Sequence, residues 1–249
     1  MILAIDIGNT RTKLAIFEKD TLLETHFFEI NLLEKKIKNI LKKNQSKPKV
    51  ILSSVGKLES TTYNWLLENT EVIEISHKSA FPFMNKYATP ATLGIDRMVL
   101  AAGATILYPN SNRLVIDTGT CITYEFINDK DEYLGGAISP GLSMRYKALN
   151  HYTAKLPLLE PTDIDYFIGN QTNQSIHSGV INGITLEIDG IINQYKSLYP
   201  DLKIILTGGD TLFLVKRLKN VIFANSNFLL ESLNNLYQYT IENDKKNLL

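Results

Sequence analysis

The sequence predicts an α/β protein made of two like lobes, each of order β-β-β-α-β-α-β, and three observations support that reading. A D-x-G-[NT] motif occurs twice, as Asp6-Ile7-Gly8-Asn9-Thr10 and as Asp117-Thr118-Gly119-Thr120, each time directly after an apolar run. The two aspartates stand 111 residues apart, so the second half of the chain restates the first. Between the halves lies the turn-rich Tyr108-Pro109-Asn110-Ser111-Asn112-Arg113, which divides the chain into an N-terminal lobe, 1–112, and a C-terminal lobe, 113–249.

The first lobe opens as a meander. Residues 2–7, 13–18 and 25–30 read as strands joined by tight turns, the second with alternating Leu14 and Ile16. From Leu33 to Lys43, Leu33, Ile37, Ile40 and Leu41 recur at helical spacing, and five lysines occupy the other faces. This is an amphipathic helix with a basic, solvated exterior. No aromatic residues are interleaved with those lysines, which argues against a nucleic-acid surface. Strands follow at 50–55 and 72–75, and an apolar helix at Met98–Leu107. The second lobe repeats the order, with strands at 114–116, 122–127 and 133–138, helix-prone sequence from Gly183 to Leu198, and a strand at 203–206. Residues 241–249 are polar and read as a frayed tail.

Composition narrows the function. With 249 residues, 44% of them hydrophobic, the chain can bury real cores. Lys+Arg and Asp+Glu both number 26, so no global field favours nucleic acid or membrane as a partner, and a small charged ligand has to be recognised locally. The single cysteine, Cys121, excludes an internal disulfide framework, and the four histidines lack metal-ligand spacing. No basic leader precedes the first strand, and no apolar run approaches the roughly 18 residues that span a bilayer. A cytoplasmic protein is expected.

The doubled motif suits two lobes facing one nucleotide. An aspartate at a strand end holds a cation directly or through water, glycine lets backbone approach a phosphate, and Thr or Asn adds hydrogen bonds to its oxygens. Neither G-x-x-x-x-G-K-[ST] nor G-x-G-x-x-G occurs, so P-loop and Rossmann sites are not expected. Thr207-Gly208-Gly209-Asp210 is a third glycine-rich turn, suited to an adenine or ribose lying against backbone. Gly135-Gly136-Ala137-Ile138-Ser139-Pro140-Gly141 reads as a strand ending in a loop that closes over a ligand. In Gly94-Ile95-Asp96-Arg97, Asp96 can accept a proton from an attacking hydroxyl, and Arg97 can grip a carboxylate with its planar fork. Asp96 can equally be the N-cap of the helix that follows. Cys121 reads as a small buried neighbour of the phosphate turn, with no partner for nucleophilic work.

Taken in order, Asp6 to Lys13, Gly94 to Arg97, Asp117 to Cys121 and Gly135 to Gly141 resemble the type III pantothenate kinases over most of the chain. The first motif alone is shared with the wider actin-like, sugar-kinase and acetate-kinase superfamily. The resemblance implies two ribonuclease-H-like lobes, a homodimer, ATP with Mg²⁺, and a monovalent cation, K⁺ or NH₄⁺. It implies transfer of the γ-phosphoryl group to pantothenate, the first step toward coenzyme A. Residue by residue, it makes Asp6, Ile7, Gly8, Asn9, Thr10, Arg11, Thr12 and Lys13 the first phosphate loop, with Mg²⁺ at Asp6 through water. It makes Asp96 the proton acceptor and Thr120 a further phosphate contact. Pantothenate falls to Tyr87, Gly94, Ile95, Asp96, Arg97 and Thr172, and the monovalent cation to Asp117. One departure is Ser232, in a stretch where the family commonly carries glycine. Rival expectations are a kinase of another hydroxy acid or sugar, and a non-catalytic nucleotide-binding regulator.

Overall fold

A computed structural model describes the chain except for residues 9, 43–46, 55–57 and 247–249, and it resolves into two compact units. The first comprises residues 1–109, 131–133 and 227–249, and the second residues 110–130 and 134–226.

In the first unit, β1 (Ile2–Ile7), β2 (Thr12–Glu18) and β3 (Thr21–Phe28) form the meander. Helix α1 (Leu33–Leu41), β4 (Lys49–Ser54), α2 (Ser60–Asn69) and β5 (Glu71–Glu74) complete a sheet of order β3-β2-β1-β4-β5. The third strand starts earlier than the sequence suggests. Lys19, at φ 54, turns the chain at once after β2, and the pairing slips at Ile16/Phe17, so Thr21 is already in register. The expected helix end at Lys43 and strand end at Val55 lie outside the described residues.

Strand alternation sorts the sheet's two faces. Leu3, Ile5, Ile7, Leu14, Val50 and Leu52 gather with Leu33 and Ile37 of α1 and Leu66 of α2 into one core. The alternate residues, such as Ala4 beside Ile51, face the other way. There α8 (Phe228–Lys246) packs on β1, β2 and β4, and against α3 (Ile95–Leu107). The chain's last segment therefore groups with the first unit, whereas the sequence division at 112/113 assigns it to the second lobe. Of residues 241–249, expected to fray, 241–246 continue the helix and 247–249 lie outside the described residues. The close approach of α3 and α8 has a visible cause: a Cβ added to Gly103 would meet Ser232 Cβ at 2.5 Å and its Cα at 3.1 Å. Ser232 is wholly buried and donates its hydroxyl to Phe228 O at 2.6 Å. A short strand, β6 (Met84–Asn85), pairs in parallel with Glu132 and Tyr133.

The second unit repeats the plan. Strands β7 (Arg113–Thr118), β8 (Cys121–Ile127) and β9 (Glu132–Pro140) correspond to the meander, with β10 (Lys203–Thr207) parallel to β7 and the short β11 (Phe223–Ala224) parallel to β10. Helices α4 (Leu142–His151), α5 (Thr172–His177) and α6 (Gly183–Leu198) supply Leu142, Tyr146, Ile176, Ile184 and Ile188 to a core with Leu114, Ile116, Tyr124 and Leu206. A four-residue helix, α7 (Thr211–Leu214), follows β10. The Gly135–Gly141 stretch is not a loop. It runs as strand to Pro140, and Gly141 is the N-cap of α4. A Cβ on Gly136 would overlap the Tyr124 carbonyl, so that glycine serves close backbone approach.

Candidate functional site

Each unit carries one aspartate at the equivalent point of its central strand. In the first, register places Lys13 of β2, Asp6 of β1 and Ser53 of β4 side by side on three adjacent strands, hence on one face of the sheet. Asp6 is buried; Ser53 Oγ donates to its Oδ1 at 2.8 Å, and Lys13 Nζ stands 3.6 Å from its Oδ2. Burial pushes the Asp6 carboxyl above its ordinary range. The Lys13 charge and the Ser53 hydrogen bond oppose that rise, and the nearby Asp96 charge adds to it. After β1 the chain turns tightly: Gly8 N–H donates to Arg11 O at 3.2 Å, and a Cβ on Gly8 would meet that oxygen at 3.1 Å. Ile7 and Thr12 are register partners at the mouth of this turn, with Thr10 and Arg11 exposed on it. Asn9 lies outside the described residues.

The electrostatic reach of Asp96 to Asp6 brings the start of α3 to the same place. Gly94 is the N-cap of α3, so Asp96 sits two residues inside the helix and the capping role open in the sequence goes to glycine. Asp96 Oδ1 accepts from the Arg97 N–H at 2.8 Å, one of the free amides of the first turn. A Cβ on Gly94 would stand closer than 3.0 Å to Asp96 Oδ1, so the missing side chain makes room for the carboxylate. Arg97, largely buried, lays its guanidinium 5.8 Å from the centre of the Tyr87 ring, and Tyr87 leans on Tyr133. Asp6, Lys13, Tyr87, Gly94, Ile95, Asp96 and Arg97 are thus all held by one unit.

In the second unit Asp117 of β7 has Thr123 of β8 and Thr207 of β10 as register partners, so two threonines stand where Asp6 has Lys13 and Ser53. Thr118 Oγ1 donates to Thr207 O at 2.8 Å. The turn is closed by Gly119 N–H to Cys121 O at 3.0 Å and braced by Gly141 N–H to Thr120 O at 3.2 Å. Gly208, at φ +102, presses against Asp117 Oδ1 and the Thr118 backbone, where any Cβ would stand closer than 3.0 Å. Cys121 is half-buried at the start of β8, more open than the sequence suggests. Thr172 opens α5 and lines a cavity of about 1060 Å³ with Arg145, Tyr152, Ile176 and Val180.

Residues 2–194 match the family model for type III pantothenate kinase. A type III pantothenate kinase of Flavobacterium johnsoniae is 57% identical over 244 residues, which are 98% of this chain and 100% of the relative. The chain belongs to the type III pantothenate kinase family. Among solved structures, a protein of Campylobacter jejuni described as a Baf family transcriptional activator superposes with a TM-score of 0.62 at 20% identity, covering 96% of this chain and 99% of the other. One from Listeria monocytogenes, described as an N-acetylmannosamine kinase, gives 0.54 at 16% identity, covering 96% and 99%. At such identities the likeness concerns the fold alone, a mixed α/β arrangement of two sheets. No described helix of this type III pantothenate kinase family member is long and apolar enough to cross a membrane.

Ser53 escapes the sequence motifs although it flanks Asp6, and Thr207, which the sequence places only at the head of a glycine-rich turn, stands beside Asp117. Ser53 carries a faint signal, the polar pair Ser53-Ser54 closing an apolar strand. Thr207 has one only if the turn after β10 is read together with the strand beside it.

Proposed function

We propose that the protein transfers the γ-phosphoryl group of ATP to the primary hydroxyl of pantothenate, giving 4′-phosphopantothenate, the first step of coenzyme A biosynthesis. Family membership supports the reaction. The observation that carries the chemistry is the Asp96 carboxylate, half-buried in the first turn of α3, beside Arg97 and within electrostatic reach of Asp6. A base for the acceptor hydroxyl, a cation for the acceptor carboxylate and a carboxylate for the nucleotide's metal then share one unit.

Phosphoryl transfer asks for position and charge neutralisation more than for covalent help. The turn from Asp6 to Lys13 receives the phosphates: Gly8 lets the backbone approach, Thr10 and Thr12 bring hydroxyls, and the Lys13 ammonium brings positive charge. Thr12 Oγ1 is buried without a hydrogen-bond partner, a group prepared for one. Asp96 takes the proton of the attacking hydroxyl, and Arg97, stacked on Tyr87, pairs with the pantothenate carboxylate through two parallel hydrogen bonds. Gly94 and Ile95 shape the floor beneath, and Thr172 is assigned to pantothenate by the family pattern.

A divalent ion fits Asp6. Among the described residues no cluster of three or more metal-ligating side chains exists, so the ion relies on one carboxylate, water and the phosphates, the habit of Mg²⁺. When bound, Mg²⁺ neutralises charge on the phosphate oxygens. A monovalent cation, K⁺ or NH₄⁺, fits Asp117: its neighbour Thr207 carries a buried Oγ1 with no partner, an oxygen donor beside a carboxylate. Thr120 makes the phosphate contact of this unit. We further propose a homodimer acting in the cytoplasm, where its nucleotide is available.

The test is direct. The pure protein with ATP, Mg²⁺, K⁺ and pantothenate should yield a product heavier by one phosphoryl group on mass spectrometry. A product formed from a sugar or another hydroxy acid and not from pantothenate would overturn the reading, as would ATP hydrolysis alone.

A further inference from the structure

One arginine holds the strand-to-helix corner Ser139-Pro140-Gly141 from behind. Arg145, in α4, donates from Nε to Pro140 O at 2.9 Å and from Nη2 to Ser139 Oγ at 3.0 Å. The same Nη2 meets Glu187 Oε2 of α6 at 2.5 Å, and Glu187 Oε1 accepts from the Tyr124 hydroxyl of β8 at 3.2 Å. Tyr124 is wholly buried, and its burial together with the Glu187 charge pushes the phenol far above its ordinary range. It therefore stays a donor at any working pH. The guanidinium ties α4, α6 and β8 to one corner, and it uses the fixed fork that lysine lacks.

That corner lies against the phosphate turn. Gly141 N–H donates to Thr120 O, and a Cβ on Gly141 would stand closer than 3.0 Å to the Gly119 and Thr120 carbonyl oxygens. With no side chain between them, the two backbones lie in direct contact, joined by that hydrogen bond.

We infer that Arg145 and Glu187 are positioning residues for the nucleotide: they fix the Gly141 corner, and through its backbone they set the Gly119-Thr120 turn in the geometry that meets a phosphate. The inference rests on the proposed assignment of that turn to ATP. A fully satisfied polar network is rigid, and a half-satisfied one is not. Loosening a turn by about 1 Å at a phosphate is worth up to about 10²-fold.

Arg145 also lines the cavity that holds Thr172, so an acceptor-side effect has to be separable. The experiment measures dissociation constants for Mg²⁺ with a non-hydrolysable ATP analogue by calorimetry, alongside KM for ATP, KM for pantothenate and thermal unfolding. The variants are Arg145→Lys, Arg145→Met and Glu187→Gln. Arg145→Met should weaken analogue binding by about tenfold or more, with KM for pantothenate unchanged within about twofold. Arg145→Lys, which keeps the charge and loses the fork, should rescue only part of the loss. Glu187→Gln should shift in the same direction by less, and it carries the comparison if Arg145→Met does not fold. Analogue binding unchanged in both Arg145→Lys and Glu187→Gln, or a rise confined to KM for pantothenate, would overturn the inference. Failure of the parent enzyme to phosphorylate pantothenate would sink the functional proposal instead, and analogue binding would still judge the positioning role.

Discussion

Gly94→Ala tests the placement of the Asp96 carboxylate without changing the aspartate itself. The backbone at Gly94, φ −58 and ψ 136, is open to alanine, so the substitution meets no conformational bar. The new Cβ would lie 3.6 Å from Arg97 Cγ, an ordinary contact, but closer than 3.0 Å to Asp96 Oδ1. The carboxylate is the end of a side chain and has to withdraw by about 1 Å to reach normal van der Waals distance. Such a shift breaks or bends the 2.8 Å hydrogen bond to the Arg97 amide and, on the proposed role of Asp96, displaces the base from the acceptor hydroxyl. Replacing glycine by alanine at an N-cap costs about 1 kcal/mol or less, whereas a misplacement of about 1 Å costs on the order of 10²-fold in rate. Steady-state kcat with ATP and pantothenate, read beside a thermal melt, gives both quantities. A variant that keeps more than about a third of the parent kcat would refute the idea that the absent side chain makes room for the catalytic carboxylate. So would one that loses rate only in proportion to lost fold.

Gly103→Ala should cost about 1–3 kcal/mol in urea unfolding, because the α3–α8 approach leaves no space for a methyl group. Adding Ser232→Gly should recover most of that loss, and strictly additive effects would disprove the contact. Asp210→Asn tests a half-buried charge. Burial raises the Asp210 carboxyl above its ordinary 3.8, so its favourable contribution is complete below pH 3.8 and is lost as pH rises through the raised value. The variant should therefore melt higher than the parent at neutral pH, with the gap closing as pH falls toward 3.8. An equal gap at every pH would remove burial as the cause. Activity of a chelated, dialysed preparation should be higher in K⁺ or NH₄⁺ than in Na⁺ at matched ionic strength, and Asp117→Asn should lose that preference. Equal rates in the three salts would withdraw the cation from Asp117.

The positions of the two aspartates were readable because each closes an apolar run with a polar turn, a pattern that one strand states by itself. Ser53 and Thr207 were not readable in the same way. Their importance depends on which strand lies beside which, and alternation within a strand gives a residue's face without naming its neighbour. The last helix shows the same limit from another side. Its core-facing Leu229, Leu233 and Leu236 are diluted by a polar end, so the tail reads as loose, although packing on β1 and α3 keeps it helical to Lys246. The Gly135–Gly141 stretch misleads because glycine marks both loops and strands pressed against another backbone, and only the Tyr124 carbonyl beside Gly136 decides between them. At Asp96 the sequence left base and cap equally open. A single neighbouring glycine settled the cap, two residues earlier than the aspartate.

The most direct measurement is the turnover of Asp96→Asn against the parent, with nucleotide affinity and melting temperature taken on the same preparations. Asparagine keeps the size of the side chain and an oxygen for the Arg97 amide, but it cannot take a proton from the acceptor hydroxyl. Turnover should fall by roughly 10² to 10⁴, toward the lower end if the hydroxyl proton leaves late, while nucleotide affinity and melting temperature stay near the parent's. Phosphorylation of pantothenate by Asp96→Asn within about fivefold of the parent rate would contradict the assignment of Asp96 as the base.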